Sequence, residues 1–135
     1  MIDWNAPAIV EKVRRGALRG VMIGVGIVEA HAVLLITSGQ KTGRTYRRRG
    51  VVHQASAPGQ APASDTGRLV QSRKITLDTA AIRARLAFHA AHAAKLEHGT
   101  RKMEPRPFAR RALVEKAREV RAAVSGEIMV ELRKP

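Results

Sequence analysis

The chain has 135 residues, a length that predicts one domain with a real core. Its 25 Lys and Arg outnumber 11 Asp and Glu, and the formal net charge of +14 favours negatively charged partners. The absence of cysteine excludes disulfides, thiolate metal sites and a cysteine nucleophile and favours an intracellular protein, and an aromatic content of 3% disfavours a base-stacking platform.

The first predicted element is a long helix. Asn5 suits the cap position, and Pro7 is tolerated in the first turn because its missing N–H costs little there. Apolar residues then recur at helical spacings from Ile9 to about Thr37, and Gly39 follows as a stop signal. We therefore expect one helix across this whole segment.

The longest apolar run of the chain, residues 21–36, lies inside this helix. It is shorter than the roughly 20 residues that a membrane span needs. It also contains Glu29 and His31, which are costly in a bilayer. We expect a buried or partner-facing soluble helix and no membrane partner.

Three glycines of the same helix lie four residues apart and share one face: Gly16, Gly20 and Gly24. Glycine costs about 1 kcal/mol of helix stability relative to alanine, yet it lets another backbone come close. Two interpretations stay open, namely tight packing within the monomer and packing against a neighbouring subunit.

Residues 41–66 are predicted to form an extended arm or loop. Residues 42–54 place valines and a tyrosine between charges, which indicates a short exposed strand or hairpin. Residues 55–65 are small and rich in turn formers, a composition that favours an extended, weakly packed strap. We expect this strap to reach a neighbouring subunit. Its candidate inter-subunit residues are Pro58, Gly59 and Pro62.

A strand pair is predicted in the middle of the chain. Ile75 and Leu77 alternate with polar residues, and a second short apolar run follows at residues 82–88. We expect the two strands to meet near Asp78. The alanine-rich residues 90–95 favour a short helix.

The last part of the chain predicts a second long helix and a closing strand. Pro107 suits a first helical turn, and helical spacing continues to Ser125 and Gly126. Alternation at residues 128–132 predicts a strand. The expected fold is a single α+β domain over residues 1–135: a long N-terminal helix, a small antiparallel sheet with an extended arm, and a second helix followed by a C-terminal strand.

No pattern in the sequence predicts catalysis, a cofactor or a metal. Only three residues separate Gly39 from Gly43, where a phosphate-binding loop needs four, and Arg44 follows, so this segment does not fit such a loop. The possible zinc ligands lack a matched third ligand on one helical face, and they are His89, His92, Glu97 and His98. No serine lies in a nucleophile elbow. An enzyme is therefore not expected.

Two basic groups are the candidate binding residues. Guanidinium groups bind carboxylates and phosphates bidentately. The second group lies near the start of the last helix, where cations oppose the macrodipole and so suggest an external acidic partner. A solvated charged face is the alternative interpretation. The candidate contacts to an acidic partner or to the DNA backbone are Arg44, Arg47, Arg48, Arg49, Arg101, Arg106 and Arg110.

Several segments in a fixed order carry a family resemblance. They are TGRTYRRR at 42–49, HQASAPGQAPASDTGRLVQS at 53–72, KLEHGTRKMEPRPFARRAL at 95–113 and an amphipathic terminal helix. Together they resemble the head-tail connector family of tailed phages, the neck or tail-completion morphogenesis proteins. The matching positions are Glu97, Gly99, Thr100, Arg106, Pro107 and Phe108, and the chain departs from the family pattern at Ala93, Ala94 and His98.

The resemblance implies a structural virion protein that forms a closed ring between head and tail, with about six or twelve copies. The implied partners are further copies of the chain, a portal, adaptor or head-completion protein, a tail terminator or tail tube protein, and the genomic DNA in the channel. The implied location is the virion neck, and the host cytoplasm during assembly. The alternative is a free-standing basic nucleic-acid-binding protein, whose affinity should fall steeply with salt.

Overall fold

A computed structural model describes residues 5–135 and confirms an α+β fold with a long N-terminal helix. The strands form two separate antiparallel hairpins, β1–β2 and β3–β4. The elements in chain order are α1 (Ala6–Ser38), β1 (Thr45–Arg48), β2 (Val51–Gln54), α2 (Arg68–Gln71), β3 (Arg73–Asp78), β4 (Arg83–Phe88), α3 (Ala93–His98) and α4 (Ala109–Leu132).

Helix α1 begins and ends close to the predicted positions. The Asn5 side-chain oxygen accepts a hydrogen bond from the Ala8 backbone N–H at 3.3 Å, and Pro7 occupies the first turn. At the other end, Gly39 takes an extended conformation directly after Ser38. The predicted cap and stop signals are confirmed, and the helix has 33 residues.

The glycine face of α1 packs against α4 of the same chain. A Cβ added to Gly20 would lie 2.4 Å from the Val124 Cα, and one added to Gly16 would lie 2.6 Å from the Ile128 Cα. Residue numbers rise along α1 as they fall along α4, so the two helices run antiparallel. Of the two open interpretations, packing within the monomer is confirmed.

The predicted C-terminal strand at residues 128–132 is wrong, because α4 continues to Leu132. Gly126 does not end the helix but lies inside it, on a side where no heavy atom comes within 4 Å of an added Cβ. The Ser125 hydroxyl donates back to carbonyl groups of the preceding turn, which is compatible with a continuing helix. Contact with α1 across this last part of α4 overrides the alternating pattern.

A buried carboxylate joins the end of α4 to α1. Glu131 is 4% exposed. Its carboxylate accepts hydrogen bonds from the Arg15 Nε at 3.1 Å and the Lys134 Nζ at 2.7 Å, and it also pairs with Arg19. Paired charges of this kind tolerate burial because both oxygens of the carboxylate find cationic donors.

The apolar core lies at the C-terminal end of α1. Phe108 and Ile36 are the largest fully buried side chains, each 1% exposed. The Phe88 ring meets Phe108 edge to face, with centroids 4.9 Å apart. The remaining core residues are Val28, Ala32, Leu35, Ala61, Leu69, Ala93 and Ala112.

By length and composition alone, α1 is long and apolar enough to cross a membrane. The prediction against a span considered only residues 21–36, which are less than half of the helix. Core helices of soluble proteins and signal sequences near an N-terminus pass the same test, so the absence of a membrane partner stays a prediction. The polar residues of the run have partners in the fold, since Glu29 pairs with Arg73 at 2.7 Å and His31 with Glu115 at 2.6 Å.

The segment predicted as a short strand or hairpin forms the hairpin β1–β2, and the predicted strand pair is confirmed as β3–β4. In β1–β2, Thr45 pairs with Gln54, and Arg49 and Gly50 form the turn with positive φ angles of 51° and 80°. In β3–β4, Asp78 pairs with Arg83, so the strands turn where the sequence predicts. Every residue of β3 is exposed.

The predicted short helix also forms, but it lies later than residues 90–95. Its observed bounds are Ala93–His98. A backbone hydrogen bond from Ala93 to the Ala90 carbonyl precedes the helix. The alanines at its start therefore lie partly in a turn.

Candidate binding sites

The strap, residues 55–65, packs against its own chain more closely than its composition predicts. Ser56 and Pro62 are buried, and the Gly59 N–H donates to the Pro105 carbonyl at 3.2 Å. Small residues permit this close approach. Pro58 and Gly59 remain exposed. An inter-subunit role of the strap stays a prediction, and because Pro62 is buried, only part of the strap could contact a neighbour.

Lys41 ties the strap to the end of α1. Its ammonium group donates to the Leu35 carbonyl at 2.9 Å and to the Ala61 carbonyl at 2.8 Å. Burial lowers the pKa of Lys41 from its ordinary value, and the charge of Arg111 lowers it further. The lysine thus caps an unsatisfied helix carbonyl and fixes the strap at the same time.

A basic cavity of about 490 Å³ lies between the strap, the β1–β2 hairpin, α2 and α3. Three predicted contact arginines, Arg48, Arg49 and Arg106, lie in its wall together with Arg68. The fold thus brings together members of both predicted basic groups. We call this site the basic cavity.

One carboxylate lies in the wall of the basic cavity. Asp65 accepts a hydrogen bond from the Arg48 guanidinium at 2.6 Å, and the His53 Nε2 lies 3.4 Å from its other oxygen. The hydrogen bond from Arg48 lowers the pKa of Asp65. Within residues 5–135, Arg49, Arg68 and Arg106 have no carboxylate at ion-pair distance, so the cavity keeps a positive excess.

Two donors in the wall of the basic cavity are buried without a hydrogen-bond partner in the described part of the chain. They are the Ser56 hydroxyl and the Arg106 Nε. A buried polar group without a partner costs about 1–3 kcal/mol. Native proteins satisfy most such groups, so these two donors distinguish the wall of the basic cavity from the rest of the described chain.

The other predicted arginines lie outside the basic cavity. Arg44, Arg47 and Arg101 are exposed and do not line it. Tyr46 and Arg48 share one strand face, and Arg47 lies on the opposite one, as strand alternation predicts. The seven predicted contacts therefore do not form one continuous site.

The start of α4 already has a carboxylate partner. Glu97 accepts hydrogen bonds from the backbone N–H groups of Phe108 at 2.9 Å, Ala109 at 3.1 Å and Arg110 at 2.8 Å. A carboxylate at a helix N-terminus satisfies unpaired N–H groups and complements the macrodipole. The nearby cations therefore do not require an external acidic partner, and sequence reasoning missed this role of Glu97.

An apolar groove of about 640 Å³ runs between α1, β4 and α4. Val21, Val25, Leu86 and Leu113 line it, and Arg110 lies in its wall. Leu113 is 54% exposed. We call this site the apolar groove.

The chain exposes more surface than a compact monomer of its size. Its accessible surface is 9406 Å². A folded monomer of 14.7 kDa is expected to expose about 6,900 Å², so the excess is about 2,500 Å². Large apolar side chains contribute to it, among them Val10, Met22, Ile23, Leu34, Val51, Val52, Leu113, Val114, Met129 and Val130.

Among residues 5–135, no three His, Asp or Glu side chains come together as a metal site. Comparisons with protein-family models, with curated proteins and with solved structures found no match.

Proposed function

We propose that this chain is a structural virion subunit of the head-tail interface of a tailed phage, a neck or tail-completion protein. In this role it forms a closed ring that joins the portal or head-completion complex to the tail around the DNA channel. The observation that carries the proposal is the excess exposed surface, which a subunit of a permanent assembly would bury.

The size of that excess suits an assembly subunit. Obligate interfaces bury roughly 2,000 Å² or more in total. The excess of about 2,500 Å² over a compact monomer is of the same order. The ordered segments that resemble head-tail connector proteins give the assembly its proposed identity.

A closed ring also needs two different surfaces on every subunit, because its interfaces are heterologous. The apolar groove offers one of them. The β3–β4 hairpin is a candidate for the other, since it projects Ile75 and Leu77, each 37% exposed, from a strand that is exposed throughout. Arg14 of α1 holds the hairpin turn through hydrogen bonds to the Thr79 and Ala80 carbonyls at 3.0 and 2.9 Å, so the exposed face of the hairpin would meet the neighbour's groove.

The charge of the chain suits a position around DNA. Exposed arginines such as Arg44, Arg47 and Arg101 would meet phosphates of DNA in the channel, through contacts that carry no sequence information. A net charge of +14 would otherwise make identical subunits repel one another.

Electron microscopy of particles made with this gene deleted from its parent genome tests the proposal. We expect separate heads and tails, with heads that leak DNA or fail to join. Normal, infectious tailed particles would refute the neck role. Complementation with Leu113→Glu tests the groove, with Ala122→Glu as the matched control, because Ala122 is an exposed residue of the same helix that does not line the groove. We expect only the Leu113 variant to fail.

A second candidate, a free-standing DNA-binding protein, is favoured by the charge alone. Binding of purified monomer to a duplex of about 30 base pairs, measured as a function of salt, distinguishes the two. A neck subunit should bind weakly as a monomer. Tight binding at about 150 mM salt, together with normal particles after deletion, would establish the second candidate.

A further inference from the structure

We propose that the basic cavity binds the carboxylate of an acidic side chain from a partner protein. The inference deepens the proposed function and rests on it only for the identity of the partner, which would be a neighbouring connector protein. The preference for a carboxylate is argued from the hydrogen-bond donors and the positive charges in the wall of the basic cavity.

The two partnerless donors carry the proposal. Ser56 is 2% exposed, and its hydroxyl and the Arg106 Nε are both without hydrogen-bond partners in the described structure. Both residues line the same cavity. A carboxylate is an acceptor only, with two oxygens that take several hydrogen bonds, so it complements a pair of donors. Both atoms are closed off from solvent in the free protein, so in the proposed complex the Ser56 hydroxyl and the Arg106 guanidinium reorient to donate.

The charge of the cavity points to the same ligand. Arg49, Arg68 and Arg106 lie in the wall with no carboxylate of the described chain at ion-pair distance. Arg48 and Asp65 show how the cavity already holds one carboxylate, with an Nη1–Oδ2 distance of 2.6 Å. A second carboxylate would meet the cations that this pair leaves unpaired.

The shape of the cavity favours a peptide over DNA. The volume of about 490 Å³ exceeds that of one small anion and leaves room for the methylene groups of a side chain. Pro62, Ala63, Leu69 and Leu96 give the wall an apolar part that such groups would contact. Phosphates of a duplex lie on a convex cylinder, so they reach exposed arginines more readily than donors buried in a concave wall.

Fluorescence anisotropy of the full-length chain with fluorescein-labelled hexaglutamate, at about 150 mM NaCl, tests the proposal. We expect Arg106→Gln to weaken binding at least about tenfold, since it removes a charge-assisted hydrogen bond. Arg101→Gln is the matched control, because it removes the same charge from an exposed position outside the cavity. It should change the affinity less than about twofold.

Ser56→Ala separates a binding role from a structural one. We expect it to weaken hexaglutamate binding several-fold while leaving the urea midpoint of the free protein unchanged or higher, because it removes a buried hydroxyl that has no partner. Arg68→Gln, an exposed member of the wall, should also weaken binding and serves if Arg106→Gln does not fold.

Several results would overturn the proposal. They are absence of hexaglutamate binding, equal losses in the Arg101 and Arg106 variants, and a lower urea midpoint for Ser56→Ala. Competition by inorganic phosphate or duplex DNA that depends equally on Arg106 would also reassign the cavity to phosphate. Normal particles after gene deletion would refute the neck role alone and leave this binding result standing.

Discussion

Substituting Gly20 by alanine tests the close approach of α1 and α4. The added Cβ would lie 2.4 Å from the Val124 Cα. Carbon atoms in contact sit at about 3.5–4.0 Å, so the helices would have to separate locally by more than about 1 Å. Overpacking costs about 1–3 kcal/mol, and the cost here lies at the upper end because the added Cβ meets backbone, whereas helix propensity gains about 1 kcal/mol. We therefore expect a net loss of about 2 kcal/mol in the free energy of unfolding.

Urea unfolding followed by circular dichroism at the helix band measures this loss. Gly26→Ala is the matched control, because Gly26 lies in the same helix with no heavy atom within 4 Å of an added Cβ. The control should gain about 0.5–1 kcal/mol from helix propensity alone. If Gly20→Ala proves as stable as Gly26→Ala, the helices do not pack through this face, and the reasoning is refuted.

The remaining predictions concern single carboxylates. Glu131→Gln should lower the free energy of unfolding by about 1–3 kcal/mol in a urea titration, because it removes the charge that Arg15 and Arg19 share; an unchanged midpoint would contradict the cluster. Glu97→Ala should lower the free energy of unfolding by about 1–2 kcal/mol in the same assay, because the first turn of α4 loses its capping carboxylate. Amide hydrogen exchange should become faster in that turn and stay unchanged in the rest of the chain. The pKa of Asp65 is held below 3.8 by the Arg48 hydrogen bond, so folding is stabilised above pH 3.8, and this contribution is lost as the pH falls through the lowered pKa. Urea titrations between pH 6 and pH 2 should therefore show a shallower acid loss in Asp65→Asn, and equal slopes in the two proteins would contradict the pair.

Sequence signals that act within a few residues predicted helix α1 and the β3–β4 hairpin correctly. The Asn5 cap, the apolar stripe and Gly39 indicate α1 because each acts within one or two turns of helix. The alternation around Ile75 and Leu77 likewise indicates a hairpin. The prediction of a C-terminal strand is wrong because residues 128–132 alternate in hydrophobicity, although they pack against α1 as a helix. Glu131 is buried for its ion pairs with α1, and no local pattern contains that information.

The sequence also indicated some residues of the basic cavity and not others. Arginine content indicated Arg48, Arg49 and Arg106 as contacts, and the fold brings these three to one cavity. The sequence gives no sign that Ser56 is buried in the same wall, since that depends on how the strap folds back on its own chain. The role of Glu97 was missed for a similar reason, because it caps a helix that begins more than ten residues later.

The packing of α1 against α4 and the proposed binding surfaces depend on different residues. A variant that loses stability can therefore be distinguished from one that loses assembly. Gly20 and Glu131 hold α1 against α4, whereas Leu113 is 54% exposed on the groove side of α4. Loss of Gly20 should therefore lower stability and assembly together. Loss of the apolar Leu113 side chain should abolish assembly with a smaller loss of stability, because its exposed half can be buried only against a neighbour. A Leu113→Glu variant that unfolds early would instead place this residue in the framework and remove the groove as an interface.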